Sequence, residues 1–271
     1  MLAALAAALQ VTVFTASPEG FLVNSTLVSG EKQAVLVDAD FTLPDARKVA
    51  EAVKASGKDL TTIYVTHWHP DHYFGAQAIL DAFPKAKLVA LPAAVKEIQR
   101  SAASKVAEWK PMYKDAITDK PVIPHALKGK SITLEGQKLE IHGGLQGDDK
   151  DNSYIWIPSI KTVIAGDIVY DGVHSWTRET TPAQRKAWSK TIDQIAALKP
   201  EKVVPGHQAP DRKQDPSNLK ATQDYLAAFD EAVASSKTAE EVQQKVKAKY
   251  PDLQLDISLK LGSQAAYAQV K

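Results

Sequence analysis

Thr66-His67-Trp68-His69-Pro70-Asp71-His72 sets three imidazoles and a carboxylate within six consecutive positions, directly after the run Thr61-Thr62-Ile63-Tyr64-Val65. That run reads as a buried strand, because β-branched and aromatic side chains fit a pleated surface. Pro70 keeps His69 out of the helical region, so the loop stays extended and His67 and His69 point the same way. Asp71 and His72 then face a different sector. A lone histidine at a strand end is ordinary, and 7 His in 271 residues is no excess. Clustering decides the matter, since burying these groups side by side costs several kcal/mol unless something compensates them. A divalent ion of the zinc type takes neutral imidazole nitrogen and carboxylate oxygen at about 2.0–2.2 Å. The loop offers His67 and His69 to one ion, and Asp71 and His72 to another, which sets the expected cofactor at one or two Zn2+ per chain.

The pattern His-x-His-x-Asp-His after a strand resembles the signature of the metallo-β-lactamase superfamily. The resemblance implies further ligands, and two are present. Gly166-Asp167 follows the strand Lys161-Thr162-Val163 and looks like the step that carries the bridging carboxylate. Val203-Val204-Pro205-Gly206-His207 looks like the strand and turn that carry the last imidazole. The third position departs from the pattern. Where that family has an imidazole in a Gly-rich loop, this chain reads Gly147-Asp148-Asp149-Lys150-Asp151-Asn152. Either Asp148 ligates in its place, making the metal a weaker Lewis acid, or the first site is vestigial, or His142 substitutes. The implied ligand set is His67, His69, Asp71, His72, Asp148, Asp167 and His207. The implied fold is α/β, a four-layer αββα sandwich over residues 11–210 with the metals at one edge and a C-terminal helical extension over 211–271.

The rest of the chain agrees with that class. A hydrophobic fraction of 44%, 24% charged residues and a net charge of +1 suit one α/β unit, and offer no basic field for tracking nucleic acid. Apolar strands are expected at 11–14, 21–28, 33–38 and 87–90, with helices at 44–56 and 73–83. Hairpin-like strands follow between 132 and 169. Thr181-Pro182-Ala183-Gln184 opens a helix with a capping box. Helices at 218–236 and 238–249 read as packing over the core or lining a homodimer contact. The apolar stretch 1–9 is too short to span a bilayer. It reads as the remnant of an export signal, giving a periplasmic or secreted protein, or as a surface extension, which leaves a cytoplasmic one. With no Cys in the chain, a disulfide scaffold and thiolate ligands are excluded.

Such ligands imply metal-assisted hydrolysis, in which the ions lower the pKa of a bound water towards neutrality. Asp71 and Asp167 are the candidate catalytic groups, orienting the water and taking its proton. Asp38, at a strand end, is the candidate hydrogen-bond partner for a ligating imidazole, or else a turn residue. Trp68, Tyr73, His174 and Trp176, with Trp109 and Tyr113, are candidates for an aromatic wall around a small-molecule substrate. An ester, lactone, thioester or amide fits first. A β-lactam is the alternative, and a non-hydrolytic or mononuclear protein the third class.

Overall fold

The computed structural model describes residues 8–270, so most of the stretch read as an export remnant lies outside the described residues. The chain divides into two compact units, one of residues up to 142 with 155–161, the other of 143–154 with 162 onwards.

The first unit is built on a six-stranded sheet. Its strands are β1 (Gln10–Thr15), β2 (Asn24–Ser29), β3 (Gln33–Val37), β4 (Asp59–Val65), β5 (Lys87–Ala90) and β6 (His125–Ala126), in that order across the sheet. β1, β2 and β3 are antiparallel neighbours, whereas β3, β4, β5 and β6 run parallel. Parallel strands need crossovers, which α1 (Leu43–Ala55), α2 (Ala76–Ala82) and α3 (Pro92–Tyr113) supply. Thr42 caps α1 by accepting from the Asp45 N–H at 3.2 Å, and Val49 and Val53 are buried on one face, as their spacing predicts. Val35, Leu36, Val37, Ile63, Tyr64 and Val65 are fully buried, in line with an apolar run covered on both faces. β7 (Ser131–Leu134) and the start of β8 (Gln137–Leu145) form a hairpin whose two turn residues, Glu135 and Gly136, both have positive φ.

β8 and β9 (Asn152–Ile157) run through both units. In the second unit β10 (Thr162–Ile164) pairs in parallel with β12 (Lys202–Val204), and β11 (Tyr170–Asp171) in parallel with β13 (His207–Gln208). The hairpin-like run expected through to 169 reaches β10, which neighbours β9 in its sheet and takes β12 as a parallel partner on its other edge (Thr162↔Lys202), and ends at the 3-10 turn Gly166–Ile168. α4 (Pro182–Ala197) carries the expected capping box. α5 (Ser217–Ala234), α6 (Ala239–Lys249) and α7 (Asp256–Val270) share a core of Tyr225, Phe229, Val242, Val246 and Leu259.

Two expectations shift, and one helix lies where none was expected. The strand expected at 21–28 begins only at Asn24, because Phe21 and Leu22 adopt positive φ of 60° and 53° and turn the chain. The helix expected at 73–83 is confined to Ala76–Ala82, since Pro70–His72 form a separate 3-10 turn and Tyr73 and Phe74 bury as loop residues. α3, the longest helix, escaped the sequence reading although Pro92 marks its first turn.

Candidate metal centre

In the first unit β4 ends at Val65 and hands the chain to His67, buried with His72 at 0% exposure and His69 at 5%. His69 is extended, with φ −66° and ψ 140°, as Pro70 dictates. The rings pack against one another, with centroids 4.8 Å apart for His67 and His69 and 4.2 Å for His67 and His72. Ligand nitrogens of His67 and His69 lie within 4.8 Å of each other. The Asp71 carboxylate lies 3.7 Å from His72 Nε2.

A buried carboxylate orients this group. Asp38 follows β3 with φ 62°, a conformation Asp tolerates better than most residues. Its Oδ1 accepts the Thr66 N–H at 2.8 Å, and its Oδ2 lies 2.8 Å from His72 Nδ1 and accepts from Thr66 Oγ1 at 2.9 Å. Thr66 Oγ1 is in turn 3.0 Å from His67 Nδ1. Two imidazoles are thus tied by Nδ1 to one Asp38–Thr66 pair, an arrangement that fixes ring orientation and tautomer. Two residues on, Asp40 is completely buried, and burial followed by the Asp45 charge pushes its carboxyl up to about 8.

The second unit contributes acids and one imidazole. Asp167 sits in the 3-10 turn Gly166–Ile168 after β10. Its Oδ2 accepts from the Tyr170 hydroxyl at 2.6 Å and lies 3.1 Å from His207 Nε2. Asp148, fully buried, brings a carboxylate oxygen within 4.8 Å of one from Asp167. Asn152 Nδ2 donates to Asp148 Oδ1 at 2.9 Å, and the Asp148 N–H donates to the Asp167 carbonyl at 3.2 Å. Gly206 is required here, because a Cβ would overlap Asp167 Oδ1 and the Gly166 backbone.

The Trp68 indole packs on the His69 ring, centroids 4.5 Å apart, with Lys105 Nζ 5.2 Å from its centroid. Tyr73 is buried edge-on against Phe74, and burial with the Asp71 charge holds its phenol well above the ordinary range. Trp109 and Tyr113 pack with Phe21 and Phe41 as an aromatic cluster. His174 is buried under the C-terminal helices, with Nδ1 3.1 Å from the Tyr225 hydroxyl. Burial holds its pKa down at about 4. Trp176 donates its indole N–H to Glu179. The His142 side chain is 39% exposed beside Glu140. Tyr170 and Thr66 escaped the sequence reading, although each stands in or beside a motif step: Thr66 at the end of β4, Tyr170 three residues after Asp167.

A family model described as Metallo-beta-lactamase superfamily matches residues 18–207. The chain is 25% identical over 190 residues to the metallo-beta-lactamase type 2 of Bacteroides fragilis, covering 68% of either protein. It is 33% identical over 69 residues to a hydroxyacylglutathione hydrolase of Prochlorococcus marinus, a match spanning about a quarter of that protein (26%). Among solved structures, a metallo-beta-lactamase family protein of Thermus thermophilus matches over 92% of this chain and 91% of its own, with a TM-score of 0.64 and 18% identity. That likeness shows the fold, an α/β sandwich of the class expected from the sequence. Among the described residues no helix is long and apolar enough to cross a membrane.

Proposed function

The chain belongs to the metallo-beta-lactamase superfamily and is a hydrolase of that group, and from this premise we propose that it is a zinc-dependent hydrolase of a small ester, lactone, thioester or amide. One observation carries the reading: the buried His67, His69 and His72 rings pack together, with Nδ1 of His67 and His72 both engaged by the Asp38–Thr66 pair. This is the support that metal-ligating imidazoles use, and it directs Nε2 to the ligand role. The donor chemistry fits zinc, since imidazole and carboxylate are its ligands where thiolates are lacking. In this reading His67, His69 and Asp148 hold one ion, Asp71, His72 and His207 hold the other, and Asp167 serves both.

The ions supply Lewis acidity and water made acidic enough to ionise near neutral pH. The chain's own groups do the rest. Asp71 would orient the attacking water and accept its proton, and Asp167 is the second candidate for that role. Asp38 keeps His72 in one tautomer throughout. Trp68 covers the His69 ring and shields that edge from solvent, leaving substrate to approach past Asp71, the one loop acid with part of its side chain (14%) exposed. Asp148 adds a negative charge where an imidazole is usual and weakens the electrophile, which favours activated carbonyls over unactivated amides.

A second reading, hydrolysis of β-lactams, is favoured by the likeness to the Bacteroides fragilis protein over 190 residues. The name of the Prochlorococcus relative, which speaks of an acylglutathione, favours the thioester. Turnover of p-nitrophenyl esters, lactones and acyl thioesters against nitrocefin, on one zinc-loaded preparation, separates them. The first reading predicts faster ester or thioester turnover; nitrocefin turnover that matches or exceeds it would replace that reading with the second.

A further inference from the structure

We propose that Tyr170 is a positioning residue for Asp167 and His207, and that α5 holds it in place through Thr222; this rests on the metal reading above. The carrying observation is a continuous set of contacts within the second unit. β11 and β13 pair in parallel with Tyr170 directly opposite His207, which brings the two rings face to face, 5.3 Å between centroids and 2° between planes. From that position the Tyr170 hydroxyl donates to Asp167 Oδ2 at 2.6 Å, the same oxygen that lies 3.1 Å from His207 Nε2. One buried side chain therefore fixes the plane of an imidazole with its ring and the rotation of a carboxylate with its hydroxyl.

Tyr170 is itself clamped from outside the motif. Its N–H donates to Thr222 Oγ1 at 3.1 Å, and its carbonyl is 3.0 Å from the same hydroxyl, which also has the Asn218 carbonyl within reach at 2.9 Å. Thr222 is buried in α5, and Trp188 of α4 closes the other side, its ring centroid 6.0 Å from that of Tyr170 and its indole N–H donating to the Ile168 carbonyl at 2.8 Å. α5, read from sequence as packing over the core or lining a dimer contact, thus holds the residue that aims two ligands. Hydrogen bonds to ligating carboxylates restrict them to the geometry the ion needs, and losing one lowers metal affinity about 10–100-fold.

The test titrates the full-length chain with Co2+ in competition with a chromophoric chelator, recording the visible d–d bands, for wild type, Tyr170→Phe, Thr222→Val and Thr222→Ser. Tyr170→Phe keeps the stacked ring and removes only the hydroxyl. The expected result is metal binding about 10–100-fold weaker with altered cobalt bands in Tyr170→Phe. Thr222→Val shifts in the same direction, and Thr222→Ser, which keeps the hydroxyl, restores wild-type behaviour. Should Tyr170→Phe fail to fold, the Thr222 pair decides. Affinities and spectra equal to wild type in Tyr170→Phe and Thr222→Val overturn the inference while the metal reading stands. A wild-type chain that takes up no metal overturns both.

Discussion

Asp38 Oδ2 lies 2.8 Å from Nδ1 of His72, although 34 residues separate the two in sequence and the carboxylate sits on a backbone with φ 62°. The parallel pairing of β3 with β4 makes this meeting, because it sets the ends of both strands side by side, with Val37 opposite Tyr64. Asp38→Asn keeps the shape and removes the charge that favours one His72 tautomer. Zinc affinity should fall about 10–100-fold with the fold retained, as read by chelator competition and circular dichroism. Unaltered affinity would reduce Asp38 to a turn residue.

Gly206→Ala should be costly out of proportion to one methyl group, because the new Cβ meets the Gly166 backbone, which cannot swing away, and Asp167 Oδ1, a side-chain end held by the Tyr170 hydroxyl. Overpacking of this kind costs about 1–3 kcal/mol. Urea unfolding measures it, and zinc content should fall in the same variant because Asp167 is displaced.

His174 makes part of the fold pH-dependent. Its pKa is held down at about 4 in the folded chain, against about 6.5 in an unfolded one, so folding favours the neutral ring. Its contribution is complete above pH 6.5 and is lost as pH falls from 6.5 towards 4. His174→Gln cannot titrate, so the difference in urea midpoint between pH 7 and pH 4.5 should be smaller in the variant. An equal difference would show that His174 plays no part in acid sensitivity.

Asp148→His puts back the imidazole usual at this position. Asp148 is buried and held by Asn152, so the exchange also removes a buried negative charge beside Asp167. We expect tighter zinc binding at the first site, read by chelator competition, and faster ester turnover. Unchanged zinc affinity would place the first ion's third ligand elsewhere.

The loop 66–72 was legible because its information is local: a β-branched strand, a proline that fixes His69, and four ligand-type side chains in one short span. Asp167 and His207 were legible through the short glycine steps that carry them, and the capping residues Thr181 and Thr238 through their chemistry. Tyr170 was not, since its role depends on β11 meeting β13, a pairing between short segments with no periodicity of their own. Aromatic side chains carry no local signal of their role for the same reason. Trp109 and Tyr113 carry the same letters whether they face a substrate or, as found, pack with Phe21 and Phe41, and only the tertiary fold separates the two. α3 escaped because no capping side chain announces its start: Leu91 makes no capping hydrogen bond, whereas Thr181 and Thr238 open α4 and α6.

Zinc per chain, measured by plasma mass spectrometry on protein purified without chelator or added metal, tests the central claim most directly. Two ions per chain is the result expected if Asp148 works as a ligand and Asp167 serves both sites. One ion would contradict the paired site, and none would contradict the metal-dependent mechanism altogether.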